Sequence, residues 1–283
     1  MTVKIVTDST CDLSDELIDQ YGITVVPLSI AFKDKTYVDG IDITKKEFIK
    51  LLTSADELPK SSQPSVGTFE KTYRELLNDP ETTHVLSIHM TEGMSGTVNA
   101  ARTAADMVGE GVTVVNSRFI SAALSFQVIE AATMAKKGHS VNEIVERLNV
   151  IREHTSLYLM VDTLEYLAKG GRIGRGKALL GSLLKIKPIA SLADGVYTPV
   201  TKVRTHMQMI DYFKRRFIEE TEGKAVKAVG IAQIEAEELA NKLKEALLQV
   251  REIPFITITE TSPIISTHTG PGALALMYYV EEV

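Results

Sequence analysis

Three side chains of this sequence have the chemistry of a hydrolytic triad: Ser95, His268 and Asp8. Ser95 lies in a Gly-Met-Ser-Gly segment that resembles a nucleophile elbow. The G-x-S-x-G pattern requires its second glycine at position 97, where this sequence has Thr97. Because the spacing of residues along the chain does not determine the distances between their side chains, hydrolysis by Ser95 stays open as one hypothesis.

Ser95 also allows a different chemistry, the binding of an anion. Ser95 and Gly96 are expected to open a helix, where unpaired backbone N–H groups and the helix dipole favour negative charge. The Ser95 hydroxyl could donate to that anion, whereas an ordinary N-cap serine fits the same pattern. The run 61–65, Ser-Ser-Gln-Pro-Ser, offers further hydroxyls ahead of another helix. Such a run is most often only a capped loop.

A histidine stands beside the run Gly270-Pro271-Gly272, and the sequence predicts that His268 lies on a tight turn that opens a helix. The glycines suggest a close approach of the backbone to another group. No H-E-x-x-H motif and no spaced cluster of histidine and aspartate occurs, so we expect no metal site. The single cysteine, Cys11, excludes a disulfide framework and a cysteine zinc cluster.

The segment Gly171–Ala178 nearly spells the phosphate-binding pattern G-x-x-x-x-G-K-[ST]. Ala178 stands where a hydroxyl must bind magnesium, and residues 163–169 are predicted to form a helix where the pattern needs a strand. We therefore expect no nucleotide loop. Residues 166–193 contain basic side chains and no acidic one, which indicates either a solvated face or contact with an anionic partner. The basic residues are Lys169, Arg172, Arg175, Lys177, Lys185 and Lys187.

Strands that alternate with helices must position these groups in the first part of the chain. The predicted strands are Val3–Thr7, Ile23–Phe32, Val85–Ile88 and Val112–Val115. Capping boxes at Thr44/Glu47 and Ser140/Glu143 begin helices, and residues 59–65 are predicted to form a loop. The alternation predicts a mainly parallel sheet. Its ligand positions would follow the strand ends, at Asp8-Ser9-Thr10 and His89-Met90-Thr91.

The pattern changes after about residue 154. Helices near 205–221 and 236–249 mix with further strands, and Asp194-Gly195 is a hairpin signal. These strands are predicted at Leu157–Val161, Pro188–Leu192, Val196–Val203, Ala225–Ala232 and Phe255–Thr259. We therefore predict an α/β protein with two domains. Residues 1–154 form the mainly parallel domain, and residues 155–283 form a second, mixed α/β domain.

The composition is that of a globular protein. The chain has 283 residues, 44% of them hydrophobic, and a net charge of −6. This balance excludes disorder and disfavours a general nucleic-acid binder. No apolar run reaches the roughly 18 residues expected of a membrane span, and the N-terminus shows no secretory signal. We expect a soluble cytoplasmic protein without stable membrane insertion.

Several short motifs occur in a fixed order and together resemble the DegV family, which includes the fatty-acid-binding subunit of bacterial fatty acid kinase. They are Asp8-Ser9-Thr10, Ser62-Gln63-Pro64-Ser65, Ser95-Gly96-Thr97, Gly170-Gly171-Arg172-Ile173, Ile186-Lys187-Pro188-Ile189 and His268-Thr269-Gly270-Pro271-Gly272. The resemblance spans essentially the whole chain, and its specificity lies in the ordered set. It implies a two-domain α/β fold that holds one long-chain fatty acid, such as palmitate, between the domains.

The resemblance also implies roles for individual residues. Hydroxyls of Ser62 and Ser95 would bind the carboxylate, with Gly96 at the same helix start and His268 near the head group. Arg172 and Thr267 would lie near the carboxylate site, and Arg204 would face a partner protein. In the kinase branch a separate ATP-binding protein phosphorylates the carboxylate to an acyl phosphate for phospholipid synthesis. The fatty-acid subunit would then be no enzyme and need no cofactor.

Two other classes remain as alternatives to that carrier. One is a stand-alone hydrolase that uses Ser95. The other is a binding or regulatory protein for a different small ligand.

Overall fold

The structure, a computed structural model, describes residues 2–179, 181, 186–192 and 194–283, so Lys185 of the basic run lies outside the described residues. The strands are β1 (Thr2–Asp8), β2 (Ile23–Val26), β3 (Ser29–Phe32), β4 (Lys35–Val38), β5 (Lys60–Ser62), β6 (Thr82–His89), β7 (Val112–Asn116), β8 (Thr155–Met160), β9 (Lys187–Ser191), β10 (Thr198–Val203), β11 (Lys224–Gln233), β12 (Ile256–Glu260) and β13 (Leu274–Glu282). The α-helices are α1 (Asp15–Tyr21), α2 (Lys45–Ser54), α3 (Val66–Leu77), α4 (Thr97–Val108), α5 (Ser121–Lys136), α6 (Val141–Glu153), α7 (Glu165–Lys169), α8 (His206–Thr221), α9 (Glu237–Leu248) and α10 (Pro263–Thr269). Short 3₁₀ helices cover Ser9–Cys11 and Gly174–Leu179.

A parallel sheet forms the first part of the chain, in the strand order β2-β1-β6-β7. In its register Ile5 of β1 lies between Ile23 of β2 and Leu86 of β6. Helices α3 and α4 pack on one face through a core that includes Phe69 and Tyr73, and α5 packs on the other. The predicted capping boxes of α2 and α6 are both present.

A mixed sheet forms the second part, in the order β10-β9-β8-β13-β11-β12. The β9–β10 pair is the predicted antiparallel hairpin, and among the described strands of this sheet only β11 and β12 pair in parallel. Helices α8 and α9 cover the outer face through a core that includes Phe213, Phe217 and Leu243. A parallel sheet followed by a mixed sheet confirms the predicted fold class.

Helix α5 lies between the two sheets and touches strands of both. Most of its side chains are buried, and many are small. Gly230 of β11 allows the closest approach, because a Cβ at that position would overlap the Cβ of Ala122. The core around α5 therefore contains residues from both sides of the predicted domain boundary, such as Ile5 and Leu157. The boundary at 154/155 falls between α6 and β8, and the division into two domains stays a prediction.

The predicted strand Ile23–Phe32 is wrong, because the chain changes sheet in its middle. Pro27 has no N–H to continue the ladder, and the N–H of Leu28 donates to Ser9 Oγ at 3.1 Å. Strand β3 then joins a small antiparallel sheet in the order β4-β3-β5. The predicted loop 59–65 is wrong in part, since it contains β5.

Two errors concern the end of the chain. His268 does not open a helix: it lies in the last turn of α10, which ends before Gly270 at a φ of 72°. Strand β13 follows and was not predicted, although it lies in the middle of the mixed sheet between β8 and β11. An all-buried strand carries no alternating pattern to mark it.

Candidate functional site

A cavity of about 290 Å³ lies at the carboxyl ends of β1 and β6, between them and α10. Its apolar wall consists of Leu28, Met90, Met94, Ile120, Leu159, Leu167, Ile264 and Ile265. Its polar lining consists of Thr10, Ser61, Ser62, Gln63, Ser95, Arg172, His268 and Thr269. The volume is near the lower end of the roughly 300–1,000 Å³ typical of small-molecule sites. Thr10 and Met90 lie at the two strand ends where the parallel sheet predicted a ligand.

A second, smaller space of about 30 Å³ lies next to this cavity. The two share the lining residues Ile120, Leu159, Ile265 and Thr269. The smaller space is almost entirely apolar and reaches Met277 of β13. The larger cavity combines polar and apolar lining residues, and an apolar space adjoins it, which suits an amphipathic ligand.

The polar end contains a serine–histidine pair that was not predicted. Ser61 Oγ and His268 Nε2 are hydrogen-bonded at 2.7 Å. In β5 the residue opposite Ser61 is Ile30, which is fully buried, so Ser61 points inward while Ser62 is exposed. The predicted Ser62 also lines the cavity. Because side chains alternate along a strand, Ser61 rather than Ser62 contacts His268.

His268 is an uncharged base in this structure at neutral pH. Burial, together with the nearby Arg172 charge, lowers the pKa of His268 to about 4. The ring packs against the backbone of Gly170, where a Cβ would overlap His268 Nδ1. Among the described residues Nδ1 has no hydrogen-bond partner. The imidazole is therefore held in position between Ser61 and the backbone of Gly170.

Ser95 lies two residues before Thr97, the first residue of α4, and Gly96 between them is the N-cap. Ser95 Oγ is hydrogen-bonded to Thr97 Oγ1 at 2.8 Å and accepts from the Thr97 N–H at 3.3 Å. The side chain of Gln63, which follows β5, packs against Gly96. A Cβ added at Gly96 would overlap the side-chain amide of Gln63. The Ser95 loop and the Ser61 loop therefore meet at the head of the cavity.

Arg172 brings a positive charge to the same place. Its Nε donates to the Met94 carbonyl at 3.1 Å, and Nη1 donates to the Gly170 carbonyl at 2.7 Å. These backbone acceptors fix the half-buried guanidinium between the Ser95 loop and the His268 contact. Neutral hydroxyls plus one fixed cation favour a bound anion over a cation.

Two predicted residues lie elsewhere. Thr267 is buried and donates through Oγ1 to the Pro263 carbonyl of its own helix at 2.9 Å, and Thr269 lines the cavity instead. Arg204 is exposed before α8, where its backbone N–H donates to Gln208 Oε1 at 2.9 Å. This exposed position makes Arg204 accessible to a partner protein, but exposure alone is no evidence of such a contact.

The hydrolytic triad does not assemble from Ser95, His268 and Asp8. The buried Asp8 carboxylate accepts from the Met90 N–H at 2.9 Å and the Thr10 hydroxyl at 2.6 Å, and it contacts His89 Nδ1 at 3.0 Å. Burial alone would raise the pKa of Asp8, but the interactions with His89, Thr10 and the Met90 N–H together outweigh burial and hold the pKa below its ordinary value. Asp8 is thus committed to His89, away from His268.

The basic run also has a structural explanation. A helix, α7, precedes Gly171–Ala178, which contains a 3₁₀ helix, so the requirement of a strand before a phosphate loop is not met. The ion pairs join the run to acids just outside it: Lys169–Glu165, Arg175–Asp194 and Lys187–Asp162. Much of its local charge excess is compensated by these neighbours.

Within the described part of the chain, no group of three or more histidine, cysteine, aspartate or glutamate side chains could hold a metal ion. No helix in that part is long and apolar enough to cross a membrane.

The fold and the cavity define an α/β protein that has a parallel and a mixed sheet and a cavity with both apolar and polar lining residues. The sequence model described as an uncharacterised protein of the DegV family matches residues 2–281. This chain belongs to the DegV family, as its motifs predicted. A DegV domain-containing protein of Staphylococcus aureus (strain MRSA252) is 41% identical over 273 residues, covering 96% of this chain and 97% of that protein.

Solved structures share the whole architecture. One, described as fatty acid binding of a DegV family protein from Thermus thermophilus, has a TM-score of 0.92 at 31% identity, covering 99% of this chain and 100% of that chain. Another, DegV of Bacillus subtilis, described as a fatty acid binding protein, has a TM-score of 0.89 at 31% identity with the same coverage.

Proposed function

We propose that this protein binds one long-chain fatty acid in the cavity, with the carboxylate at the polar end and the chain along the apolar wall. The observation that carries this proposal is the convergence of Ser61, Ser95, Arg172 and His268 in one cavity whose lining also includes eight apolar side chains. The fatty acid binding described for the Thermus and Bacillus relatives supports it.

The carboxylate would accept hydrogen bonds from the serine hydroxyls, with the Arg172 charge beside it. Ser62 and Ser95 remain proposed ligands, and the geometry adds Ser61. His268 begins neutral, and a carboxylate placed near it favours the imidazolium and raises the pKa of the ring. Hydroxyl donors hold the carboxylate less firmly than a bidentate arginine would, which suits a group that must react later.

The apolar wall supplies most of the affinity. Burying about 15 carbons at about 0.8 kcal/mol each contributes about 12 kcal/mol before costs. Loss of translational and rotational freedom removes several kcal/mol or more of this. The remainder is enough for tight binding without any covalent bond to the protein.

In the second part of the proposal, a separate ATP-dependent kinase in the cytoplasm uses this protein as its acyl-binding subunit. A carboxylate oxygen of the fatty acid would attack the γ-phosphorus of ATP, giving an acyl phosphate and ADP, and the product would feed phospholipid synthesis. This chain would be the non-catalytic subunit and would need no cofactor. Support comes from Gly171–Ala178, which lacks the hydroxyl and the preceding strand of an ATP loop, and from the exposed Arg204, proposed to face the kinase.

One observation favours a second candidate, an esterase. The Ser61–His268 hydrogen bond is the contact that a serine nucleophile makes with its general base. A triad also needs an acid on the other ring nitrogen, and within the described residues Nδ1 has no partner. The carrier therefore accounts for more of the site than the esterase does.

A titration with a fluorescently labelled fatty acid tests the proposal. Losing one hydrogen bond to a charged group costs about 1.5–3 kcal/mol, so Ser61→Ala and Ser95→Ala should each weaken binding about tenfold or more. Ser62→Ala should weaken it less, since that side chain is exposed. Ser65→Ala is the matched control, because Ser65 caps α3 and does not line the cavity.

Unchanged affinity in both Ser61→Ala and Ser95→Ala would contradict the proposed carboxylate site. Turnover of a fatty-acyl ester by the parent protein, lost in Ser61→Ala, would favour the esterase.

A further inference from the structure

Two of the residues that line the cavity of about 290 Å³ are also exposed on the protein surface. They are Ser62 and Gln63, whereas the other described lining residues are buried or half-buried. A residue that reaches both the cavity and the solvent lies at the mouth of the cavity. Because Ser62 and Gln63 directly follow Ser61, this mouth opens beside the Ser61–His268 pair.

The backbone of Gln63 is fixed on both sides. Ser62 before it pairs with Ser29 in the small antiparallel sheet, and Ser65 two residues later caps α3. Pro64 between them is buried, and a proline restricts the residue before it to extended conformations. The base of the Gln63 side chain therefore has a defined position at the mouth, while its carboxamide can turn about the side-chain bonds.

The carboxamide of Gln63 reaches from the β5 side of the mouth to the start of α4. The three atoms nearest to a Cβ added at Gly96 all belong to it: Oε1 at 2.1 Å, Cδ at 2.9 Å and Nε2 at 3.1 Å. Gly96 has an ordinary φ of −75°. Glycine is therefore needed at this position for space beneath the carboxamide and not for its backbone conformation.

Packing alone holds the carboxamide in this place. Its amide group makes no hydrogen bond to another described residue. A carboxamide offers two N–H donors and one carbonyl acceptor without a net charge. Gln63 thus brings free donors to the mouth, next to Ser95, where the head group of a ligand would lie.

We propose that Gln63 closes the mouth over the head group of the bound fatty acid, donates an amide N–H to its carboxylate and thereby slows its release. This inference rests on the proposed fatty acid site. Differences in affinity between related complexes arise mostly in the dissociation rate. A side chain that covers the exit and adds one hydrogen bond should therefore act on that rate.

Stopped-flow release of the labelled fatty acid, chased with excess unlabelled palmitate, tests the role of Gln63. Gln63→Ala removes a hydrogen bond to a charged group, so release should be about tenfold faster. Gln63→Glu keeps the shape but places a second negative charge beside the carboxylate, so release should be faster still. Gln20→Ala, at an exposed glutamine of α1, is the matched control and should release the ligand at the parent rate.

A second variant displaces the carboxamide without changing Gln63. In Gly96→Ala the added methyl group overlaps the carboxamide, so release should again be faster than in the parent protein. In a Gln63→Ala background there is no carboxamide to displace, and Gly96→Ala should add little. Such non-additivity is the signature of two residues that act through one contact.

Release of the ligand by Gln63→Ala and Gln63→Glu at the parent rate would overturn the proposal. Additive effects of Gln63→Ala and Gly96→Ala would also overturn it, because Gly96 would then act without Gln63. A parent protein that binds no labelled fatty acid would instead refute the proposed function, and this inference with it. The two failures are therefore distinguishable in one set of measurements.

Discussion

Two histidines of this protein occupy contrasting surroundings. His89 is fully buried, with Asp8 on one ring nitrogen and Ser87 on the other, at 3.0 and 2.6 Å. His268 has a serine on one nitrogen and no partner among the described residues on the other. An acid built into the protein makes the first histidine structural, whereas the second lacks one. A fatty-acid carboxylate would supply to His268 the charge that Asp8 supplies to His89.

The largest effect is expected from breaking the structural pair. Asp8→Ala leaves His89, the Met90 N–H and the Thr10 hydroxyl without their acceptor in a fully buried position. Removing one partner of a buried pair costs about 3–5 kcal/mol. Urea denaturation should show this loss in the free energy of unfolding. A loss below about 1 kcal/mol would show that Asp8 is dispensable and would remove the contrast between the two histidines.

An intermediate effect is expected from crowding the second histidine. In Gly170→Ala the added methyl group overlaps His268 Nδ1, so the ring must shift and its hydrogen bond with Ser61 is disturbed. Overpacking of this kind costs about 1–3 kcal/mol, and fatty acid affinity should fall about tenfold. Gly67→Ala in α3 is the control, because its Cβ meets no closer atom than Ser65 Oγ at 3.9 Å. Equal affinity for Gly170→Ala and the parent protein would remove His268 from the head-group site.

An effect of similar size should appear in the pH dependence of stability. His268 has a lowered pKa of about 4 in the folded protein and an ordinary value of about 6.5 when unfolded. The unfolded state therefore binds the proton first, and stability falls as pH drops from about 6.5 to about 4. The loss should be on the order of 3 kcal/mol. His268→Gln should flatten this part of the urea-denaturation profile, and an unchanged profile would contradict the neutral assignment.

The smallest effect on fatty acid affinity is expected from a substitution of the exposed Arg204. Arg204→Ala should leave fatty acid affinity unchanged while lowering acyl phosphate formation with a fatty acid kinase, because charge at an interface mainly affects encounter and orientation. Paired titrations, one with labelled fatty acid and one with the kinase at two salt concentrations, measure both. Loss of lipid binding with normal kinase binding would place Arg204 in the ligand site.

Local patterns predicted most of the helices and the parallel sheet. The capping boxes at Thr44 and Ser140 and the apolar face of α3 are encoded within a few neighbouring residues. Pairing between distant segments was harder to predict. Ile23–Phe32 is mostly apolar and β-branched, so only Pro27 marks the change of sheet, and β13 is buried without alternation over its first seven residues.

The site was predicted in part for a related reason. Motif resemblance indicated Ser95, Arg172 and His268, all of which line the cavity. It indicated Ser62, whereas the contact with His268 belongs to Ser61. Recognition of β5 as a strand would have revealed this, because alternate side chains then face opposite ways. The commitment of Asp8 to His89 depends on two strands meeting and carries no signal in the local sequence.

The most direct test of the central claim is native mass spectrometry of the protein purified from cells without added lipid. If the cavity holds one fatty acid, the spectrum should show the protein with a single non-covalent adduct in the mass range of C14–C18 acids. Denaturation should release that adduct, and a Ser61→Ala, Ser95→Ala double variant should carry much less of it. An apo protein that also fails to bind added palmitate, or an adduct with no carboxylic acid, would contradict the claim.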